Sequence, residues 1–231
     1  MTMKVSVIIP TAREGRAQST VDYLWRTTLN DLDIVVSSPG FKINGAKNIE
    51  DGMVGSSRAI ADAFAYTDPD SEYIAWLSDI CLPTGDIMDC SMRFMETAPL
   101  PFIAEFMTSI YTTARTYRVC TITGKQYARW GILSRATIEK IGGFFDPRYS
   151  CFFGDVDLSL RCWKAGGHVA TCEHAVIIMD GQRDDITVSN WEKARAADRA
   201  LFLDRWAIDY PVMREQDDSV WNVDKVLTRS Q

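Results

Sequence analysis

Histidine is scarce in this chain, with two among 231 residues, and the six cysteines at 81, 90, 120, 151, 162 and 172 form no CxxC pair. Those two shortages leave no zinc ligand set, and the thiols read as reduced and mostly buried. Basic residues are in deficit: 25 Lys and Arg stand against 31 Asp and Glu, a net charge of -6. A sequence-independent grip on nucleic acid needs a basic surface, and this balance argues mildly against one. Long hydrophobic runs are missing as well. The apolar run Val5–Ile9 is too short for a signal-peptide core, and nothing approaches a membrane span. These absences lead to the expectation of a soluble, cytoplasmic protein without an integral membrane segment. There is no repeat, low-complexity tract or linker, so one domain is expected.

The sequence does hold enough apolar residues, 46%, to bury a sizeable core. KVSVIIPT (Lys4–Thr11) reads as a buried strand stopped by Pro10, and LDIVVSSPG (Leu32–Gly40) as a second one ended by a turn. Between them the polar AREGRAQST leads into VDYLWRTTL, a helix. Phe41–Gly55 reads as a long polar loop, Ser56–Thr67 as a helix, and Glu72–Asp79 as a third apolar strand ending on an acid. Strand, helix, strand, helix, strand is the order of a parallel sheet, whose ligand groups lie at the strands' C-terminal ends. Further on, Asp86–Thr97 reads as a helix and PFIAEFMTSIYTTARTYRVCTIT as one or two strands. SRATIEKIGGFFD reads as a short helix closed by Gly142-Gly143, HVATCEHAVIIMD as a last strand, and SNWEKARAADRALFLDRWAIDY as a charged amphipathic helix.

Three blocks in order, KVSVIIPT, IAWLSDICLPTGD and GGFFDPRYSCFFGDVDLSLRCWKAGGHVA, resemble the inverting family-2 glycosyltransferases of the GT-A fold. The resemblance runs from about Lys4 to Met179. It implies a Rossmann-like mixed, mostly parallel sheet flanked by helices. On that reading residues 1–190 form the transferase domain, with a nucleotide-sugar half at about 1–85 and an acceptor half at about 86–190. Residues 191–231 form a helical extension packed on it.

The resemblance also implies roles. Pro10, Thr11, Arg13 and Glu14 fall where the family seats the nucleotide, with Ser37 after the second strand and Arg58 on the following helix in reach of the donor. Ser37-Ser38 stand where many relatives carry an aspartate that recognises uracil. Ser78 and Asp79 fill the acidic motif on the diphosphate side, where a hard cation, Mn2+ or Mg2+, takes oxygen ligands. Ile80 stands where the ligating carboxylate often falls, so Asp79, with Asp180 as a further oxygen, is the metal candidate. Asp155 is the general base. A helix N-terminus lowers its pKa while burial among Phe152 and Phe153 raises it, and the sequence gives no net sign. Gly154 replaces the glutamate usual before that aspartate. Trp130, Gly131, Phe153 and Gly154 line the acceptor side, Trp130 being equally readable as a core residue. Asp157 reads as the N-cap of Leu158–Ala165, and Asp86 as a helix cap.

The partners implied are a nucleotide-diphosphate sugar and a hydroxyl acceptor: a glycan, a lipid-linked sugar, a protein or a modified base. Two alternatives stay open, a catalytically impaired sugar-nucleotide or glycan binding module and a related nucleotidyltransferase. The C-terminal helix reads as packing, an oligomer interface or a peripheral membrane contact.

Overall fold

The computed structural model describes residues 3–109, 116–179, 185–211 and 223–228. The first part of the chain comprises β1 (Lys4–Pro10), α1 (Glu14–Thr27), β2 (Asp31–Ser38), β3 (Lys47–Glu50), α2 (Ser56–Ala63), β4 (Tyr73–Trp76) and β5 (Cys81–Pro83). After α3 (Ile87–Glu96) come β6 (Phe102–Ser109), β7 (Thr116–Ile122), β8 (Lys125–Gln126), β9 (Gly131–Ser134) and α4 (Arg135–Lys140). The chain continues through α5 (Gly154–Lys164), β10 (His168–Met179), α6 (Asp185–Trp206) and β11 (Val223–Thr228).

All the strands join one mixed sheet, ordered β3-β2-β1-β4-β9-β6-β7-β11, with β10 beside β6 and β5, and β8 beside β7. β3, β2, β1 and β4 are mutually parallel, and beyond β4 the path continues antiparallel through β9, β6, β7 and β11. Ile8 lies opposite both Val35 and Trp76, so β1, β2 and β4 run out at a common edge. That edge is where an α/β sheet places its ligands.

β1 is apolar almost throughout because both its faces are covered. Val5, Val7 and Ile9 face a layer with Ala17, Val21 and Leu24 of α1 and Ile87, Met88 and Met92 of α3. Ile8 faces the opposite layer, with Ile60 and Ala63 of α2, Ile138 of α4, and Leu158 and Cys162 of α5. A strand buried on two sides loses its period-2 pattern and reads as a continuous run. A third cluster joins Phe202 and Trp206 of α6 to Tyr149, Val156, Leu160, Cys120, Ile122 and Tyr127.

Several expectations need adjustment. α1 starts at Glu14, seven residues before the expected VDYLWRTTL, because Ala17, Thr20, Val21 and Leu24 form a buried stripe that carries the polar stretch into the helix. The expected loop 41–55 contains β3, whose polar, mostly exposed KNIE suits a sheet edge. The second helix stops at Ala63 and tightens into a 3-10 turn over Phe64–Tyr66. β10 is not the last strand, since β11 follows and pairs with β7.

Candidate active site

The donor-side residues gather where β1 and β4 end. Thr11 Oγ1 donates to Asp79 Oδ2 at 2.8 Å, and Ser78 Oγ donates to Asp79 Oδ1 at 3.0 Å. The Arg13 guanidinium, one residue before α1, approaches Asp79 Oδ2 to 3.1 Å. Asp79 is 4% exposed, so this carboxylate is held inside the protein by a charge and two hydroxyls. Pro10 is buried at the strand's end, and Glu14 is exposed in the first turn of α1. One strand over, Ser37 Oγ donates to Asp51 Oδ2 at 2.7 Å, and the Ser37 carbonyl accepts from Thr11 N–H at 2.9 Å. An acid therefore does stand at the end of β2, delivered from the residue after β3. Asp51 was missed because its approach is set by β2–β3 pairing and not by nearness in sequence.

The other group of expected site residues lies at the start of α5. Ser159 Oγ donates to the Asp155 carbonyl at 2.8 Å and accepts from Ala128 N–H at 3.1 Å, and Trp163 Nε1 donates to the Gln126 carbonyl at 2.8 Å. These contacts pin α5 against the segment 126–129. Asp155 lies in the helix's first turn, half-buried, and accepts from Val156 N–H at 2.9 Å. Close enclosure by protein atoms pushes its carboxyl up to about 6, against the pull of that N–H and of the Arg129 charge. Burial thus outweighs the helix terminus. The same Arg129 charge acts on Glu105, which burial pushes up to about 7, and on Cys81, pushed up to about 12. Arg129, whose charge reaches all three groups, was passed over in the sequence although it adjoins the Trp130-Gly131 pair singled out.

Asp157 corrects the sequence reading. The cap position before α5 is Phe153, in the left-handed region at φ 64°, and Asp157 lies inside the helix, fully buried. Its carboxylate accepts from Arg161 Nε at 2.9 Å and Trp206 Nε1 at 2.9 Å, and pairs with Arg205 NH1 at 3.1 Å. Arg161 also donates to the carbonyls of Ile141, Gly143 and Phe144. Asp157 is therefore the joint between α5 and α6. A second joint is Asp198 of α6, 2% exposed, which takes the N–H groups of Ser150, Cys151 and Phe152 at 2.9, 2.8 and 2.8 Å. It holds the aromatic loop that leads into Asp155, and Phe153 stacks on Phe202 at 4.8 Å.

Gly154 also has a packing reason. A Cβ there would lie 2.8 Å from Ser57 Oγ and 2.9 Å from Phe145 Cδ1, so α2 occupies the space an acidic side chain would need. Ser57 Oγ itself donates to the Cys151 carbonyl at 3.0 Å. Arg58 does not turn to the donor edge; its guanidinium chelates Asp62 at 2.7 Å and donates to the Pro147 carbonyl at 3.0 Å. Gly131 is buried within the sheet, where a Cβ would meet the Ala104 carbonyl at 2.5 Å, so close strand pairing and not acceptor contact demands it. Trp130 packs partly buried between the two main apolar layers, its Nε1 enclosed without a hydrogen-bond partner among the described residues. Asp86 caps α3, accepting from Asp89 N–H at 3.0 Å. Asp180 lies outside the described residues.

Solved structures share this architecture. GalNAc-T7, crystallised with UDP, GalNAc and Mn2+, superposes with a TM-score of 0.61 at 12% identity, covering 94% of this chain and 52% of that chain. S. aureus TarS superposes with a TM-score of 0.56 at 11% identity, covering 89% and 44%. The chain has the GT-A glycosyltransferase fold, and it spans about half the length of these structures. No protein-family model matches the sequence, and no curated protein matches it. At such identities the likeness establishes the fold, and function has to be argued from the site.

The described part of the donor set does not fit the expected divalent cation. Asp79 is committed to Arg13, Thr11 and Ser78. Ile80 offers no oxygen and packs against the apolar layer under α1 and α3. Among the described residues no three His, Cys, Asp or Glu side chains converge. A hard cation wants several oxygen ligands at one point, and among the described residues Asp79, already paired with Arg13, has no second carboxylate converging on it.

Proposed function

We propose that this chain transfers a sugar from a nucleotide-diphosphate donor to a hydroxyl acceptor with inversion, Asp155 acting as general base. The observation that carries this reading is the unequal use of the two neighbouring aspartates. Asp157 is consumed by Arg161, Arg205 and Trp206 inside the protein, whereas Asp155 stays partly exposed in the first turn of α5. The donor lies along the ends of β1, β2 and β4: the nucleoside against Pro10 and Ser37, the diphosphate toward Thr11, Arg13, Ser78 and Asp79. The acceptor hydroxyl approaches from the side of Phe153 and α5. Its oxygen attacks the anomeric carbon opposite the departing diphosphate and gives its proton to Asp155. A carboxyl near 6 is ionised at neutral pH yet more basic than an ordinary aspartate, which suits a base.

The acceptor class stays as broad as the sequence left it: a glycan, a lipid-linked sugar, a protein or a modified base. No helix among the described residues is long and apolar enough to cross a membrane. Turnover against a panel of nucleotide sugars and simple hydroxyl acceptors tests the reading. Asp155→Asn lowers kcat by about 10²–10⁴-fold while nucleotide binding persists. Near wild-type turnover in that variant removes Asp155 from the role. One observation favours a second reading, a binding module without transfer: Ile80 together with the neutralised Asp79. That reading predicts nucleotide-sugar binding with no turnover for any acceptor.

A further inference from the structure

We propose that this chain binds its nucleoside diphosphate without a divalent cation, the Arg13 guanidinium taking the cation's place on the diphosphate side. This inference rests on the nucleotide-sugar reading above and concerns the chemistry of the same edge.

The argument starts from what surrounds Asp79. An acid at the end of a parallel strand, where a diphosphate is to lie, repels that ligand unless a positive charge stands between them. Here the intervening charge belongs to the chain. Arg13 NH1 lies 3.1 Å from Asp79 Oδ2 and 3.5 Å from Oδ1, on the strand-to-helix connection that also presents Thr11. Thr11 and Ser78 hold the two carboxylate oxygens from the other sides at 2.8 and 3.0 Å. For a metal to bind Asp79 it would have to displace the guanidinium; Ile80 offers it no oxygen, and among the described residues no further acid converges there. A guanidinium carries five N–H donors in one plane, so a single Arg can be oriented by a carboxylate and bind a phosphate oxygen at once. Asp79 then serves as the positioning residue for Arg13. A further guanidinium, Arg129, acts on Cys81 just beyond β4 and on Asp155, so positive charge reaches this edge from the acceptor side too.

The test is calorimetric binding of UDP, GDP and dTDP in Mn2+, in Mg2+ and in EDTA. At least one of them binds, with a Kd that changes by less than about threefold between Mn2+ and EDTA, well under the tenfold that 1.4 kcal/mol would produce. Arg13→Gln weakens that binding about tenfold or more in EDTA, the loss expected for a charge-assisted hydrogen bond. Arg13→Lys, which keeps the charge and loses the planar fork, falls between. Melting curves without nucleotide verify that each variant is folded. Wild-type binding that appears only with Mn2+ overturns the inference and leaves the transferase reading standing. Unchanged affinity in a folded Arg13→Gln protein overturns it as well. No binding of any nucleoside diphosphate by the wild type overturns the reading itself, and this inference with it.

Discussion

Replacing Asp157 by asparagine removes a charge that two arginines share. The carboxylate is fully buried, its Arg161 partner is 9% exposed, and Arg205 is 33% exposed. Breaking a buried pair by deleting one partner costs roughly 3–5 kcal/mol, because the other charge is left enclosed. Arg161 keeps three carbonyl acceptors, at Ile141, Gly143 and Phe144, and the asparagine oxygen can still accept from Trp206 Nε1. The lower end, about 3 kcal/mol, is therefore expected. For a chain of this size that corresponds to a fall in Tm of roughly 6–12 °C. The assay is urea unfolding followed by circular dichroism, with Asp155→Asn as the control, since neutralising a carboxylate whose charged form burial disfavours costs little. A loss below about 1 kcal/mol for Asp157→Asn is what a mere helix cap would give, and it would refute the joint between α5 and α6.

Gly154→Ala brings a Cβ to 2.8 Å from Ser57 Oγ and 2.9 Å from Phe145 Cδ1, so it destabilises by about 1–3 kcal/mol. Adding Ser57→Gly recovers part of that loss in a double-mutant cycle, and simple additivity would show that α2 does not fill the space. The acid limb of kcat/KM follows Asp155. With its carboxyl near 6, the base is ionised above that pH, and activity falls about tenfold per unit below it. A limb near the ordinary aspartate value, about 4, would show that burial does not control this carboxyl.

The parallel half of the fold was open to the sequence because its strands are buried on both faces. KVSVIIPT, LDIVVSSPG and EYIAWLSD each carry a dense apolar run that ends at the edge where the ligand groups gather. β3 escaped because KNIE, at an exposed edge, has no apolar signal. α1 was begun late because its first turns keep only one buried apolar residue, Ala17, among polar neighbours. At the ends of β1 and β4, Thr11, Arg13, Ser78 and Asp79 contact one another, while Arg58 pairs with Asp62 one helical turn on. Asp157 was misread for a physical reason. An acid near a helix start looks like a cap in one dimension, and only the arrival of Arg205 and Trp206 from α6, 48 and 49 residues on, shows otherwise.

The C-terminal helix was the least specific part of the sequence, readable as interface, membrane contact or packing, its mixed charge favouring packing or oligomerisation. Its buried side chains pack it onto α5 and the loop before it. Phe202 and Trp206 close an apolar cluster over Tyr149, Val156 and Leu160, and Asp198 gathers three consecutive N–H groups of the loop 150–152. Those three amides otherwise have to be satisfied by water, in a loop that carries two phenylalanines and a left-handed Phe153 into the first turn of α5. A left-handed conformation at a non-glycine residue costs roughly 1–2 kcal/mol and persists only where its surroundings fix it. Here the fixing comes from α6, through Phe202 stacked on the Phe153 ring and Asp198 on the amides just before it. A chain ending before Asp198 would therefore keep the Asp155 carboxylate and lose the contacts that aim it.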